Sequence, residues 1–103
     1  MPYRSTKIEN PVEFDLADYT GPLQFKTDAH GGYVTHEVLV SHSAYTLAKM
    51  WLDGFKWSEN MWGEVMDETP KALLVAVCAK MWWIPKRLLK KARKVREVEE
   101  VDG

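Results

Sequence analysis

A chain of 103 residues, 46% hydrophobic and 28% charged, has the size and composition of one modest globular domain, outside the low-hydrophobicity range of disordered chains. Its single cysteine, Cys78, excludes an intramolecular disulfide framework and favours a reducing, cytoplasmic setting. The formal net charge of −1 hides a block pattern: 7 of the 14 Lys and Arg residues lie between Lys86 and Arg96, and Glu97, Glu99, Glu100 and Asp102 follow directly.

Residues 1–15 carry charges throughout and no apolar stretch, so neither a signal sequence nor an anchor is expected there. Tyr3 to Ile8 reads as a weak strand. Val12, Phe14 and Leu16 alternate with Glu13 and Asp15, and Leu23, Phe25 and Thr27 alternate with Gln24 and Lys26, the pattern of two half-buried strands. Asn10-Pro11-Val12-Glu13 also fits the opening of a short helix to Tyr19, with Asn10 as cap and proline in the first turn, but the strand is preferred. The glycines of Asp28-Ala29-His30-Gly31-Gly32 supply positive φ for a hairpin loop leading into a third strand, Tyr33 to Val40.

Beyond Val40 the spacing turns helical. Ser41 or Ser43 can cap a helix with Ala44, Leu47, Ala48, Trp51 and Phe55 on one face, ending at Gly54. Ser58 can cap a second, short helix presenting Met61, Trp62, Val65 and Met66. Thr69-Pro70 is a strong start for a third, and the run Ala72 to Ala79 is apolar nearly all round, which predicts a buried central helix. This longest apolar run, Ala72 to Ile84, is interrupted by Lys80 and is too short to span a bilayer. Pro85 should kink or stop it. From Lys86 to Arg96 a narrow stripe of Leu88, Leu89, Ala92 and Val95 marks a cationic helix. The expected architecture is α+β: a small N-terminal antiparallel sheet of about three strands followed by three to four helices packed on one face. Residues 1–96 form the single domain, including the basic helix, and residues 97–103 form an acidic tail.

No constellation supports catalysis. Ser41-His42-Ser43 lacks the strained turn and the orienting third group of a nucleophile, and Cys78 reads as an inert buried thiol. Gly31-Gly32 lacks the spacing of a phosphate loop. His30, His36 and His42 recur every six residues along an extended element and do not converge on one metal ion. Neither cofactor nor metal is expected.

The residues that point to function are cationic and aromatic. Arg87, Lys90, Lys91, Arg93 and Lys94 offer charge complementarity, arginine being the better partner for bidentate contact. All five tryptophans fall between residues 51 and 83. Trp51 suits the core, whereas adjacent Trp82 and Trp83 cannot both face one side of a helix, so Trp83 and the connector residue Trp57 are candidate anchors. Together they predict a non-enzymatic interaction module, an adaptor, inhibitor or assembly subunit docking on a larger protein with an acidic surface. The alternative is a sequence-independent nucleic-acid-binding accessory protein using the same basic helix, which the adjoining carboxylates disfavour. A homo-oligomer, with Glu97, Glu99 and Glu100 pairing the basic helix of a second copy, is a third reading, and membrane association is the least supported.

Overall fold

A computed structural model gives the structure of the protein and describes residues 3–27, 31–48 and 61–101. Within these the chain is mainly extended, and period-two burial explains why. In β5 (His36–Val40) residues 36, 38 and 40 are buried, and in β7 (Ala72–Val77) Leu73, Val75 and Val77 are. Gly63 and Val65 do the same in β6 (Met61–Glu68), Ile84 in β8 (Lys80–Pro85) and Ala92 in β9 (Lys91–Lys94). The valines at 38, 40, 65, 75 and 77 are β-branched and pack well on a pleated surface.

These five strands and the short β2 (Glu13–Asp15) form one antiparallel sheet in the order β2-β9-β5-β6-β7-β8. Strands β5 to β8 follow one another across the sheet. A 3-10 turn at Lys86–Leu88 then returns the chain, so that β9 pairs with β5 on one side and β2 on the other. Opposite Gly63, a Cβ would lie 2.3 Å from Val75 Cγ1 and 2.9 Å from Val77 Cγ2, so only glycine lets β6 and β7 pack this closely. From the second residue beyond it, the register shifts between Val65 and Asp67, a bulge that adds twist. The buried side chains make one core with Leu23 and Leu89, against which Phe14, Tyr19, Tyr45 and Trp82 pack.

Two smaller ladders flank this sheet. β1 (Tyr3–Lys7) pairs with β10 (Arg96–Glu100), and β3 (Phe25–Thr27) pairs with β4 (Gly31–Tyr33). The Ile8 N–H donates to the Val95 carbonyl at 2.9 Å, and the Thr35 carbonyl accepts from both Val95 and Arg96, so residues 91–100 run nearly continuously from one ladder into the next. The α-helix α1 (His42–Leu47) starts where Ser41 Oγ accepts from the Ala44 N–H at 3.1 Å.

The fold is therefore mostly β, and the expected α+β arrangement of three to four helices on a small sheet is overturned. The strand readings at 3–8 and 12–16 correspond to β1 and β2, and that at 23–27 in part to β3; residues 28–30 of the expected loop lie outside the described residues, its Gly31 and Gly32 belong to β4 instead, and of the third strand only Tyr33 joins β4 while His36–Val40 is β5. The short-helix alternative at 11–19 survives only as a 3-10 turn at Leu16–Asp18. The short helix expected from Ser58 is β6 from Met61 on, its first residues lying outside the described ones; the helix placed on 70–84 is β7 and β8, and the basic helix 86–96 is a 3-10 turn and two strands. The helix from Ser41 holds through Leu47. Its continuation to Phe55, with Trp51 and Trp57, lies outside the described residues. No helix among the described residues is long and apolar enough to cross a membrane.

Candidate interaction surface

Strand geometry redistributes the cations that a helix would have gathered on one surface. In β9 the side chains alternate, so Ala92 enters the core while Lys91 and Arg93 lie on the opposite face, each beside a carboxylate of a neighbouring strand. Lys91 Nζ is 2.6 Å from Asp15 Oδ1, and this hydrogen-bonded contact raises the lysine pKa above its ordinary value. Arg93 Nε and Nη2 lie 2.9 and 2.7 Å from Glu37 Oε1, and its guanidinium sits 4.0 Å over the Trp62 ring, a cation–π contact. Lys94 pairs with Glu97 at 2.9 Å, Lys86 with Glu68 at 2.8 Å, and Arg96 donates to Ser5 Oγ. Among the described residues, Arg87 and Lys90 have no carboxylate partner, so of the five cations singled out from the sequence only these two remain available.

Among the described residues, the exposed aromatic side chain lies on β8. Among the described residues β8 ends the six-stranded sheet, so its far side is an unpaired edge. Register and one hydrogen bond fix what that edge presents. Ala72 faces Pro85, which makes Lys71 and Lys86 the next opposed pair, and the Lys86 N–H donates to the Lys71 carbonyl at 2.8 Å. Bonded and non-bonded pairs alternate in an antiparallel ladder, so Ile84, Trp82 and Lys80 bond to β7. The N–H and C=O of Met81 and Trp83, and the C=O of Pro85, point away from it. Pro85 thus occupies a place where its missing N–H costs no ladder bond.

The side chains of Met81 and Trp83 share the outer face with Leu74 and Ala76, and they are 57% and 48% exposed. Trp82 alternates inward and packs on the core. Trp83 is therefore an exposed anchor candidate, for a strand-based reason and not the helical one that pointed to it. Lys80 opens β8, and Lys71, which precedes β7, flanks the Pro85 end from the inner side of the ladder; both are exposed and without a carboxylate partner among the described residues. Neither they nor Met81 were singled out from the sequence. A lysine and a proline bracketing Met-Trp-Trp-Ile is the composition of a protected edge strand, which was the available signal.

No family model, no curated protein and no solved structure matches this chain. The site must be read from its own chemistry.

Two further features lie away from this edge. A cleft of about 910 Å³ opens between residues 15–23 and 86–90, with the Glu68–Lys86 pair in its wall. Behind it His36, 5% exposed, contacts Thr35 Oγ1 through Nδ1 at 2.8 Å and lies 5.8 Å from the Tyr19 ring and 6.2 Å from that of Phe14. Burial, then the nearby Lys94, lowers its pKa below the ordinary 6.5. Among the described residues no set of three His, Cys, Asp or Glu gathers to hold a metal ion. Cys78 is not the buried helical thiol expected: it is exposed in the turn between β7 and β8.

Proposed function

We propose that the protein is a non-enzymatic interaction module that accepts an extended acidic segment of a larger protein as an added strand along β8. The observation that carries this reading is the coincidence, on one unpaired edge, of outward main-chain groups and the exposed side chains of Met81 and Trp83. Main-chain bonds give such a complex its affinity, and alternate side chains give it specificity. Lys71 and Lys80 supply the charge preference. They also oppose the use of the same edge by a second copy, because antiparallel self-pairing would bring Lys80 of one chain towards the Lys71 end of the other. The exposed, unpaired thiol of Cys78 suits a reducing, cytoplasmic setting.

The test is a calorimetric titration with a synthetic peptide of alternating Glu and Val. Saturable binding is expected to weaken with added salt and in Lys71→Glu/Lys80→Glu, and to be lost in Trp83→Lys, with each variant keeping its thermal unfolding transition. An absence of saturable binding would overturn the proposal, as would unchanged affinity in Trp83→Lys or tighter binding of generic DNA than of the peptide.

A further inference from the structure

A second surface is built for a different kind of ligand. The cleft between residues 15–23 and 86–90 has a volume of about 910 Å³, within the range of small-molecule sites. Its apolar base is formed by buried Leu23 and Leu89, with Leu16 and Tyr19 beside them.

Both walls are held by hydrogen bonds. On one side, Tyr19 Oη donates to the Pro22 carbonyl at 2.9 Å, and the Leu16 N–H donates to the Lys90 carbonyl at 2.9 Å. On the other, the Leu89 N–H closes the 3-10 turn on the Lys86 carbonyl at 3.0 Å. Glu68 ties the two together: Oε1 accepts from the Leu23 N–H at 2.9 Å, and Oε2 meets Lys86 Nζ at 2.8 Å. The cleft is thus shaped before any ligand arrives, which lowers the cost of binding.

The charge balance then selects the ligand. Six charged residues line the cleft, and three of them are already compensated: Glu68 and Lys86 by each other, and Asp15 by Lys91 at 2.6 Å. That leaves Arg87 and Lys90 on one wall and Asp18 on the other, a surplus of one positive charge over an apolar base. A dianion would overcompensate this surplus and face Asp18, and a neutral apolar molecule would leave the surplus charge unmatched.

We propose that this cleft binds a small organic monoanion, a carboxylate carried on an apolar body, with Arg87 and Lys90 holding the carboxylate and Leu23 and Leu89 the body. The proposal is independent of the β8 edge, which shares none of these four residues.

The probe is 4-phenylbutyrate, followed by amide chemical shifts of the full chain, with acetate and 4-phenylbutanol as controls. Saturable shifts are expected at Leu23, Leu89 and Lys90, with each control about fivefold weaker or more. Arg87→Gln and Lys90→Gln should each weaken binding by a few-fold, and Asp18→Asn should tighten it. Shifts that never saturate would overturn the proposal. So would acetate binding as well as 4-phenylbutyrate, which would mark an adventitious ion only, or undiminished affinity in the double variant.

Discussion

Cys78 and Ala79 turn β7 into β8 with φ values of 52° and 64°, a two-residue turn in which both residues are left-handed. Neither residue is one that adopts this region cheaply, and the penalty is about 1–2 kcal/mol for each. Ala79→Gly should therefore raise stability by about 0.5–1 kcal/mol, measured by urea unfolding, once the greater flexibility of glycine in the unfolded chain is set against the relieved strain. The same two residues explain the misread centre of the chain. A hairpin of this type is ordinarily signalled by Asn-Gly or Asp-Gly, and with Cys-Ala in that place the apolar run passes through the turn unbroken. His36 gives a second residue-level test. Its folded pKa lies below 6.5, so the unfolded chain takes up the proton first as pH falls. Stability from this site is complete above about 6.5 and is lost on acidification toward the lower folded value. Thermal unfolding followed from about pH 7.5 to 5.5 should show this loss in the native protein and a smaller one in His36→Gln.

At the scale of elements, the close approach of β6 to β7 depends on Gly63. Gly63→Ala should cost about 1–3 kcal/mol, because the new methyl would meet Val75 and Val77 inside ordinary contact distance and both lie in the packed core. Elements with short-range signals were readable in advance: the alternation around Phe14 and the Ser41 cap both act within a few residues. The segment 86–96 was not. Three of its cations, Lys86, Lys91 and Arg93, are balanced by Glu68, Asp15 and Glu37, all distant in sequence, and a run in which only Ala92 is buried within the strand carries no usable period. The candidate site was legible only in part. Trp83, Arg87 and Lys90 stand out in the sequence and are exposed in the structure, whereas Met81, Lys71 and Lys80 matter only once β8 is known to be an edge.

At the scale of the whole molecule, the two ends of the chain are zipped together, Tyr3 to Lys7 facing Glu100 to Arg96. The acidic stretch is thus largely a strand and not a free tail, and Arg4 pairs with Glu99 across it. Truncation after Arg96 should accordingly lower the unfolding temperature and expose β1, rather than simply unmask the cations before it. Among the described residues β8 ends the six-stranded sheet, where an added strand would extend it. Amide hydrogen exchange tests this directly. In the free protein the N–H groups of Met81 and Trp83 should exchange fast while those of Trp82 and Ile84, bonded to β7, are protected. Addition of the Glu-Val peptide should then slow Met81 and Trp83 selectively. Slow exchange at these two amides in the free protein, or exchange that stays fast when the peptide is bound, would contradict an open edge that receives a partner strand.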